Sequence, residues 1–146
     1  MRLTTQYLSV CTAVSLFLLS SGTFAQRTDS APATVEKLLE TESSWDGTLY
    51  KTYPDGTPQL SVLKITIPPN SSLSWHQHAI PNAAYVQNGT LTVEKKATGE
   101  RKTLQSGEVL PEMVDSAHRG YSGASGATLI VFYAGKKGIP LSTPAN

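Results

Sequence analysis

Three histidines are the residues of this sequence best suited to chemistry. His76 and His78 are separated by one residue, and His118 follows forty residues later. Side chains two positions apart on a β-strand point to the same face, so the first two can present their imidazoles together. Imidazole suits transition metals. We therefore predict one divalent-metal site with His76, His78 and His118 as ligands, and we leave open whether the ion is Fe, Mn, Ni, Zn or Cu.

The residues needed for other common catalytic and binding chemistries are not found in the expected mature sequence. The only cysteine, Cys11, lies in an N-terminal apolar run that we expect to be removed, so neither a thiol nucleophile nor a disulfide is expected in the mature protein. No serine occupies a Gly-x-Ser-x-Gly turn. The glycines form no phosphate-binding loop. Catalysis, if the protein performs it, then depends on the histidine cluster.

The first 25 residues have the layout of a secretory signal peptide. Arg2 precedes the apolar run 8–19, and Thr23-Phe24-Ala25 is a small-x-small cleavage site before Gln26. The alternative is an uncleaved anchor, although the run is shorter than the roughly 20 residues of a membrane span. We expect cleavage after Ala25 and a secreted or periplasmic protein.

Charge argues against polyanionic partners. Loss of Arg2 leaves 11 basic residues against 11 acidic ones. A neutral domain has no electrostatic attraction for nucleic acid or anionic lipid. We expect a small-molecule ligand or substrate, no nucleic acid and no membrane contact after cleavage, and we leave open whether the chain forms a homodimer.

The hydrophobic pattern after Trp45 has a period of two, which predicts strands. Eight or nine short strands and no helix indicate an all-β sandwich or barrel. The predicted strands are 48–53, 60–67, 73–78, 83–87, 90–94, 101–104, 108–114 and 127–133. Residues 35–39 are predicted as an edge strand or one helical turn, and residues 122–126 as a loop.

Asn88-Gly89 lies between two of these runs. An Asn-Gly pair between alternating segments is a strong signal for a type I′ hairpin, because that turn needs positive φ at both central residues. The sequence therefore predicts a hairpin here. Pro111, which cannot donate a sheet hydrogen bond, places its own strand at an edge, a start or a bulge.

Two stretches carry the spacing of a known family. Residues 70–89 match Gly-x5-His-x-His-x3,4-Glu-x6-Gly at both histidines and at Gly89, and residues 107–118 match the start and end of Gly-x5-Pro-x-Gly-x2-His. These are the two cupin motifs. With the run 129–135 and Gly138-Ile139-Pro140-Leu141, the chain resembles small secreted bacterial cupins over roughly residues 60–141. Every histidine falls on a motif ligand position.

The departures from the motifs concern the metal. Asn82 stands where the ligating Glu is usual, and Ser122 replaces the final Asn of motif two. Asn70 replaces the first Gly of motif one, and Met113 and Asp115 replace the Pro and Gly of motif two; Asn tolerates the left-handed backbone that such a turn uses. Three neutral imidazoles without a carboxylate leave a divalent ion its full charge.

Two residues are candidates to modify that charge. Asn82 could ligate weakly through its amide oxygen, bind a metal-bound water or serve only the turn. Glu112, six residues before His118, could restore a carboxylate if its side chain points inward, or it could be a solvated strand residue. Pro111 makes its alternation ambiguous.

The resemblance implies a double-stranded β-helix, the cupin or jelly-roll barrel. With the signal peptide 1–25, the predicted domain order is a leader 26–44, a barrel 45–141 and a tail 142–146. The resemblance also implies a metal-dependent enzyme on a small polar substrate, most like a dioxygenase. The alternative is a module that binds metal or a small ligand without turnover. No catalytic residue beyond the ligands is assigned.

Overall fold

Seven antiparallel β-strands make up the regular structure of this computed structural model, which describes residues 31–145. The proposed signal peptide lies outside these residues. None of the described residues forms a helix long and apolar enough to cross a membrane. The strands are β1 (Pro58–Ile67), β2 (His76–Gln77), β3 (Asn82–Lys95), β4 (Arg101–Gln105), β5 (Val109–Pro111), β6 (His118–Lys136) and β7 (Thr143–Pro144).

The long strand β6 organises the sheet. Its C-terminal half pairs with β1, from Ile67↔Ala127 to Pro58↔Lys136, and on its other side with the first half of β3. Its N-terminal half pairs with the second half of β3 and, at His118, with His76 of β2. Strand β4 continues the sheet from β3, and β7 continues it from β2. The all-β fold predicted from the period-two pattern is confirmed.

The core is the apolar face that these strands share. Twelve buried residues form this core. Burying each Val, Leu or Ile side chain contributes about 1.5–3 kcal/mol to the stability of the folded state. Alternation produces the core: Ala84 and Val86 of β3 face inward, as do Leu129, Val131 and Tyr133 of β6. The remaining members are Ile67, Ile80, Leu91, Val93, Leu104, Leu110 and Ala127.

The predicted Asn88-Gly89 hairpin is wrong. Residues 82–95 form one continuous strand, β3, with register irregularities on both sides of this pair. Gly89 has φ of 80°, but Asn88 is not in the left-handed region, so the pair cannot form a type I′ turn. A β-carbon on Gly89 would lie 2.0 Å from the carbonyl oxygen of Gly126. Glycine is needed here for a close approach between two strands at a bulge.

Three other local predictions also fail. Residues 122–126 are part of β6 rather than a loop, because pairing with β3 overrides the weak strand propensity of Ser and Gly. Residues 48–53 form only one bridge, Ser43↔Leu49, and residues 35–39 form neither strand nor helix. Leu49 is 69% exposed. An alternating pattern without a partner strand does not make a sheet.

The strands that flank the histidines are shorter than predicted. The segment 73–78 contributes β2 and one parallel bridge, His78↔Val114, and the segment 108–114 contributes β5. Two turn residues beside them, Asn70 and Asp115, have φ of 51° and 54°. They are the only non-glycine residues with positive φ in the described chain, and both occupy glycine positions of the motifs. Asn and Asp tolerate this conformation better than other side chains.

Candidate metal centre

His76, His78 and His118 converge on one point inside the barrel. Each offers a ring nitrogen, and the three nitrogens lie within 4.8 Å of one another. The ring centroids are 4.6–5.0 Å apart. The direct pairing of His76 with His118 across β2 and β6 brings the distant histidine to the other two. His78 and His118 are buried, and His76 is the most exposed of the three.

The second ring nitrogen of each histidine is held by the backbone. Each Nδ1 atom lies at hydrogen-bond distance from a carbonyl oxygen, which can only accept. Each Nδ1 must therefore carry the proton, and each Nε2 is left with a lone pair that can bind a metal. The acceptors for His76, His78 and His118 are the carbonyls of Ser74 at 2.8 Å, Leu141 at 2.7 Å and Ser116 at 2.8 Å.

Burial and one carboxylate set the protonation of the cluster. Burial lowers the pKa of His76 and of His78 below the ordinary histidine value, which keeps both rings neutral at neutral pH. Burial also acts to lower the pKa of His118, but the Glu112 carboxylate and the Ser116 carbonyl together outweigh it, and that pKa is raised. The cluster thus has two neutral imidazoles, His76 and His78, and a third, His118, whose pKa is raised by Glu112.

Glu112 lies at the site. It follows β5, and its side chain is on the same inward face as Leu110, so Pro111 does not break the alternation. Glu112 is 8% exposed, and its Oε2 atom is 3.3 Å from Nε2 of His118. Neither of these two buried atoms has a hydrogen-bond partner. The interpretation of Glu112 as a solvated strand residue is therefore wrong.

Asn82 and Glu112 are joined by a backbone hydrogen bond. The Asn82 carbonyl oxygen accepts the Glu112 amide at 3.0 Å. Its side-chain Nδ2 donates to the carbonyl of Ile80 at 3.1 Å, while its buried Oδ1 has no partner. The amide is thus fixed in orientation with a free acceptor, which suits a water or an ion as well as a purely structural role.

Two tyrosines near Glu112 were not recognised from the sequence as part of this region. The Tyr50 hydroxyl donates to the Glu112 carbonyl at 2.8 Å. The Tyr133 ring packs edge-on against His78, with centroids 5.7 Å apart. Burial, reinforced by the charge of Glu112, raises the pKa of each to about 12. Both hydroxyls stay protonated at neutral pH and can donate hydrogen bonds. Strand parity alone could have placed Tyr133 on the inner face.

Other aromatic residues lie away from the cluster. Trp75 faces the opposite side from His76, where the Arg119 guanidinium is 4.5 Å from its ring centre. Tyr85 alternates with the buried Ala84 and Val86, so it faces away from the interior. Phe132 is 41% exposed. None of these is positioned to touch a metal ion.

Two grooves lie next to the segment 39–53. The larger, of about 700 Å³, runs between that segment and the start of β3, with Tyr53, Asn82 and Phe132 in its wall. The smaller, of about 370 Å³, reaches Val114 and Ser116. The three histidines line neither groove, so neither is assigned as the opening to the metal centre.

Solved structures share this architecture. A cupin-like protein from Thermotoga maritima is 13% identical, with a TM-score of 0.51 over 60% of this chain and 65% of that one. The DMSP lyase DddQ from Ruegeria pomeroyi is also 13% identical, with a TM-score of 0.52 over 59% of this chain and 43% of that one. The fold is a cupin barrel. No family model and no curated protein sequence matches the chain.

The likeness to these cupins is one of fold. The chain spans 65% of the length of the Thermotoga protein and less than half of the lyase, and one fold carries many activities. Within the cupin barrel of this chain, the donor set itself indicates the class of ion. Three imidazole nitrogens with fixed tautomers fit a divalent transition metal, for which nitrogen ligands are preferred, better than calcium or magnesium, which take oxygen ligands.

Proposed function

We propose that this protein holds one divalent transition-metal ion through Nε2 of His76, His78 and His118 and acts as a metal-dependent enzyme on a small polar substrate. The observation that carries the proposal is the convergence of three Nε2 lone pairs, each fixed by a backbone hydrogen bond on Nδ1. Such second hydrogen bonds orient metal-binding histidines and raise their basicity.

Three protein nitrogens do not fill the coordination sphere of such an ion. The positions left over are available to water or substrate, as in catalytic sites. When bound, the ion supplies Lewis acidity toward a substrate oxygen, and iron in particular would supply oxygen chemistry. The chain's own contribution is a buried pocket and the protonated Tyr133 hydroxyl, which can donate a hydrogen bond; the Tyr50 hydroxyl already donates to the Glu112 carbonyl. A compact substrate with oxygen donors fits these properties.

A non-catalytic binding module is the second candidate, and one observation favours it. Tyr50 and Tyr133 have pKa values of about 12, so neither is suited to accept a proton at neutral pH. Glu112 is the one carboxylate found against the histidine cluster in the described chain. A site with so few proton acceptors could hold a metal or a ligand without turnover.

Secretion is part of the proposal and is supported by the sequence alone. The apolar run and the Thr23-Phe24-Ala25 site favour export. A protein that takes up its metal outside the cytoplasm meets whichever ion that compartment supplies. Metal content should therefore be measured on protein purified from its native compartment.

The test of metal binding uses the full chain and zinc. Because an ion that binds the folded state raises its stability by about 2.7 kcal/mol at a hundredfold excess over the dissociation constant, zinc should raise the melting temperature. His76→Ala and His118→Ala should abolish the rise. Gln77→Ala, between the two strand histidines, is the matched control and should keep it. A variant lacking all three histidines that binds zinc as tightly as the parent would overturn the proposal.

Turnover is tested separately. If native protein contains iron, oxygen uptake is screened against small hydroxy, keto and carboxylic acids. Oxygen uptake that depends on both iron and one added substrate supports the enzyme. Full metal occupancy with no turnover of any substrate, together with tight binding of one of them, supports the binding module.

A further inference from the structure

We propose that Glu112 is a fourth protein ligand of the metal, its Oε2 supplying the carboxylate that position 82 lacks. The inference rests on the metal site proposed above. It starts from two buried atoms, Oε2 of Glu112 and Nε2 of His118, which face each other at 3.3 Å without a hydrogen bond. No Lys or Arg of the described chain pairs with Glu112: its one ionic neighbour there is His118.

A neutral His118 gives this carboxylate nothing to bind. The Nδ1 proton of His118 already serves the carbonyl of Ser116 at 2.8 Å, so Nε2 of the neutral ring carries a lone pair. A carboxylate oxygen and an imidazole lone pair are both acceptors. Two acceptors buried face to face are unfavourable unless a proton or a metal ion lies between them.

The spacing suits a shared metal ion. Nitrogen and oxygen ligands bind zinc-like ions at about 2.0–2.2 Å. Two donors on one such ion are then separated by about 3.0 Å at a right angle and by about 3.4 Å at the tetrahedral angle. The observed 3.3 Å lies between these values. It is longer than the roughly 2.7–2.9 Å of a charge-assisted hydrogen bond between an imidazolium and a carboxylate.

The backbone holds Glu112 in this position from both sides. Its amide donates to the Asn82 carbonyl at 3.0 Å, and its own carbonyl accepts the Tyr50 hydroxyl at 2.8 Å. The preceding residue, Pro111, pairs with Ala83 of β3. The carboxylate thus enters the site from the strand beside Asn82. The negative charge that Asn82 of β3 cannot supply comes instead from Glu112, which follows the neighbouring strand β5.

The experiment compares zinc affinity in Glu112→Gln with the parent, by competition with a chromophoric chelator. We expect affinity to fall at least tenfold or so, since even groups outside the coordination sphere change it 10–100-fold. Asn82→Ala should change it by less than about threefold, and so should Glu100→Gln, an exposed control. Cobalt absorption spectra of the parent and Glu112→Gln should differ, because the ligand set differs.

The outcomes separate the two proposals. If the parent binds neither zinc nor cobalt, the metal site itself is wrong. If the parent binds both but Glu112→Gln binds zinc equally well with an unchanged cobalt spectrum, the site stands and the role of Glu112 is wrong. If Glu112→Gln does not fold, a crystal structure of the zinc-loaded parent decides. An oxygen of Glu112 about 2.0–2.2 Å from zinc supports the assignment, and one beyond about 3 Å overturns it.

Discussion

The Nδ1 atom of His78 lies 2.7 Å from the carbonyl oxygen of Leu141, 63 residues further along the chain. Leu141 precedes β7, which pairs with β2 through Gln77↔Thr143 and His76↔Pro144. The Leu141 carbonyl therefore fixes the tautomer of His78, and the strand that follows it, β7, is the outer neighbour of β2, which carries His76. The predicted tail 142–146, together with Leu141 immediately before it, supports the candidate metal centre directly.

Removing this segment should weaken metal binding without unfolding the barrel. A chain that ends at Pro140 loses the acceptor for His78 and the strand beside His76, and zinc affinity should fall about 10–100-fold. A chain that ends at Pro144 keeps both and is the control. The measurement is zinc competition, with the metal-free melting temperatures of both chains as a check on folding. Equal affinities in the two chains would contradict the supporting role of the segment.

The histidine cluster could be predicted from sequence because part of its geometry is local. Alternation on a strand places His76 and His78 on one face whatever the rest of the fold does. The motif spacing then identified His118. Leu141 could not be predicted, because its contribution is a backbone carbonyl that any residue has. Only the three-dimensional path of the chain brings it to His78.

The hairpin prediction failed for the opposite reason. Asn88-Gly89 is a local turn signal, and the competing influence is tertiary. Strand β6 pairs with β3 on both sides of the dipeptide, from Asn82↔Tyr133 to Lys95↔His118. The pair is absorbed as a bulge. Glu112 lies between these cases: strict alternation groups it with Leu110, which is buried as Glu112 is, but Pro111 left that alternation ambiguous in the sequence.

Gly89 should be intolerant of a side chain for two separable reasons. Gly89→Ala places a non-glycine residue at φ of 80° and a β-carbon 2.0 Å from a backbone oxygen of Gly126. The backbone conformation alone costs about 1–3 kcal/mol, and the clash adds to it. Gly99→Ala is the matched control, with φ of 69° and no atom within 4 Å of its added β-carbon. Urea unfolding should show a clearly larger loss for Gly89→Ala, and equal losses would refute the close approach.

Acid should release the metal. The Nε2 atom that binds the metal must carry no proton. Because Glu112 raises the pKa of His118, His118 is the first of the three histidines to be protonated as pH falls. Burial lowers the pKa of His76 and His78, so these two rings resist protonation longer. The zinc dissociation constant should therefore rise as pH falls from about 8 to about 5, starting near or above the ordinary histidine pKa of about 6.5. A dissociation constant that stays flat over this range would contradict the ligand assignment.

Export should remove the N-terminal segment. Cleavage after Ala25 gives a mature protein that begins at Gln26 and has no cysteine, because Cys11 is lost. Intact-mass analysis of the exported protein should show the mass of residues 26–146, and a thiol reagent should not label it. A mass that includes residues 1–25, with one reactive thiol, would show an uncleaved chain instead.

Asp46 should make the stability of the fold depend on pH in acid. Its buried carboxylate accepts hydrogen bonds from Lys95 at 2.6 Å, Ser44 at 2.6 Å and the Thr48 amide at 3.1 Å, and it joins the segment before β1 to β3. Burial acts to raise its pKa, but these donors outweigh burial and hold the pKa well below the ordinary value of 3.8.

Because the pKa of Asp46 is depressed in the folded state, its contribution to stability is complete above pH 3.8 and is lost as pH falls toward the folded-state pKa. Asp46→Asn should lower the free energy of unfolding at pH 7 by about 1.5–3 kcal/mol, the scale for hydrogen bonds to a charged group. The deficit relative to the parent should shrink as pH falls below about 4. Asp55→Asn, in the exposed turn before β1, should leave stability within about 0.5 kcal/mol. Urea unfolding of all three proteins between about pH 7 and pH 3 measures this, and a deficit for Asp46→Asn that is constant across that range would show that the Lys95 ion pair does not stabilise the fold.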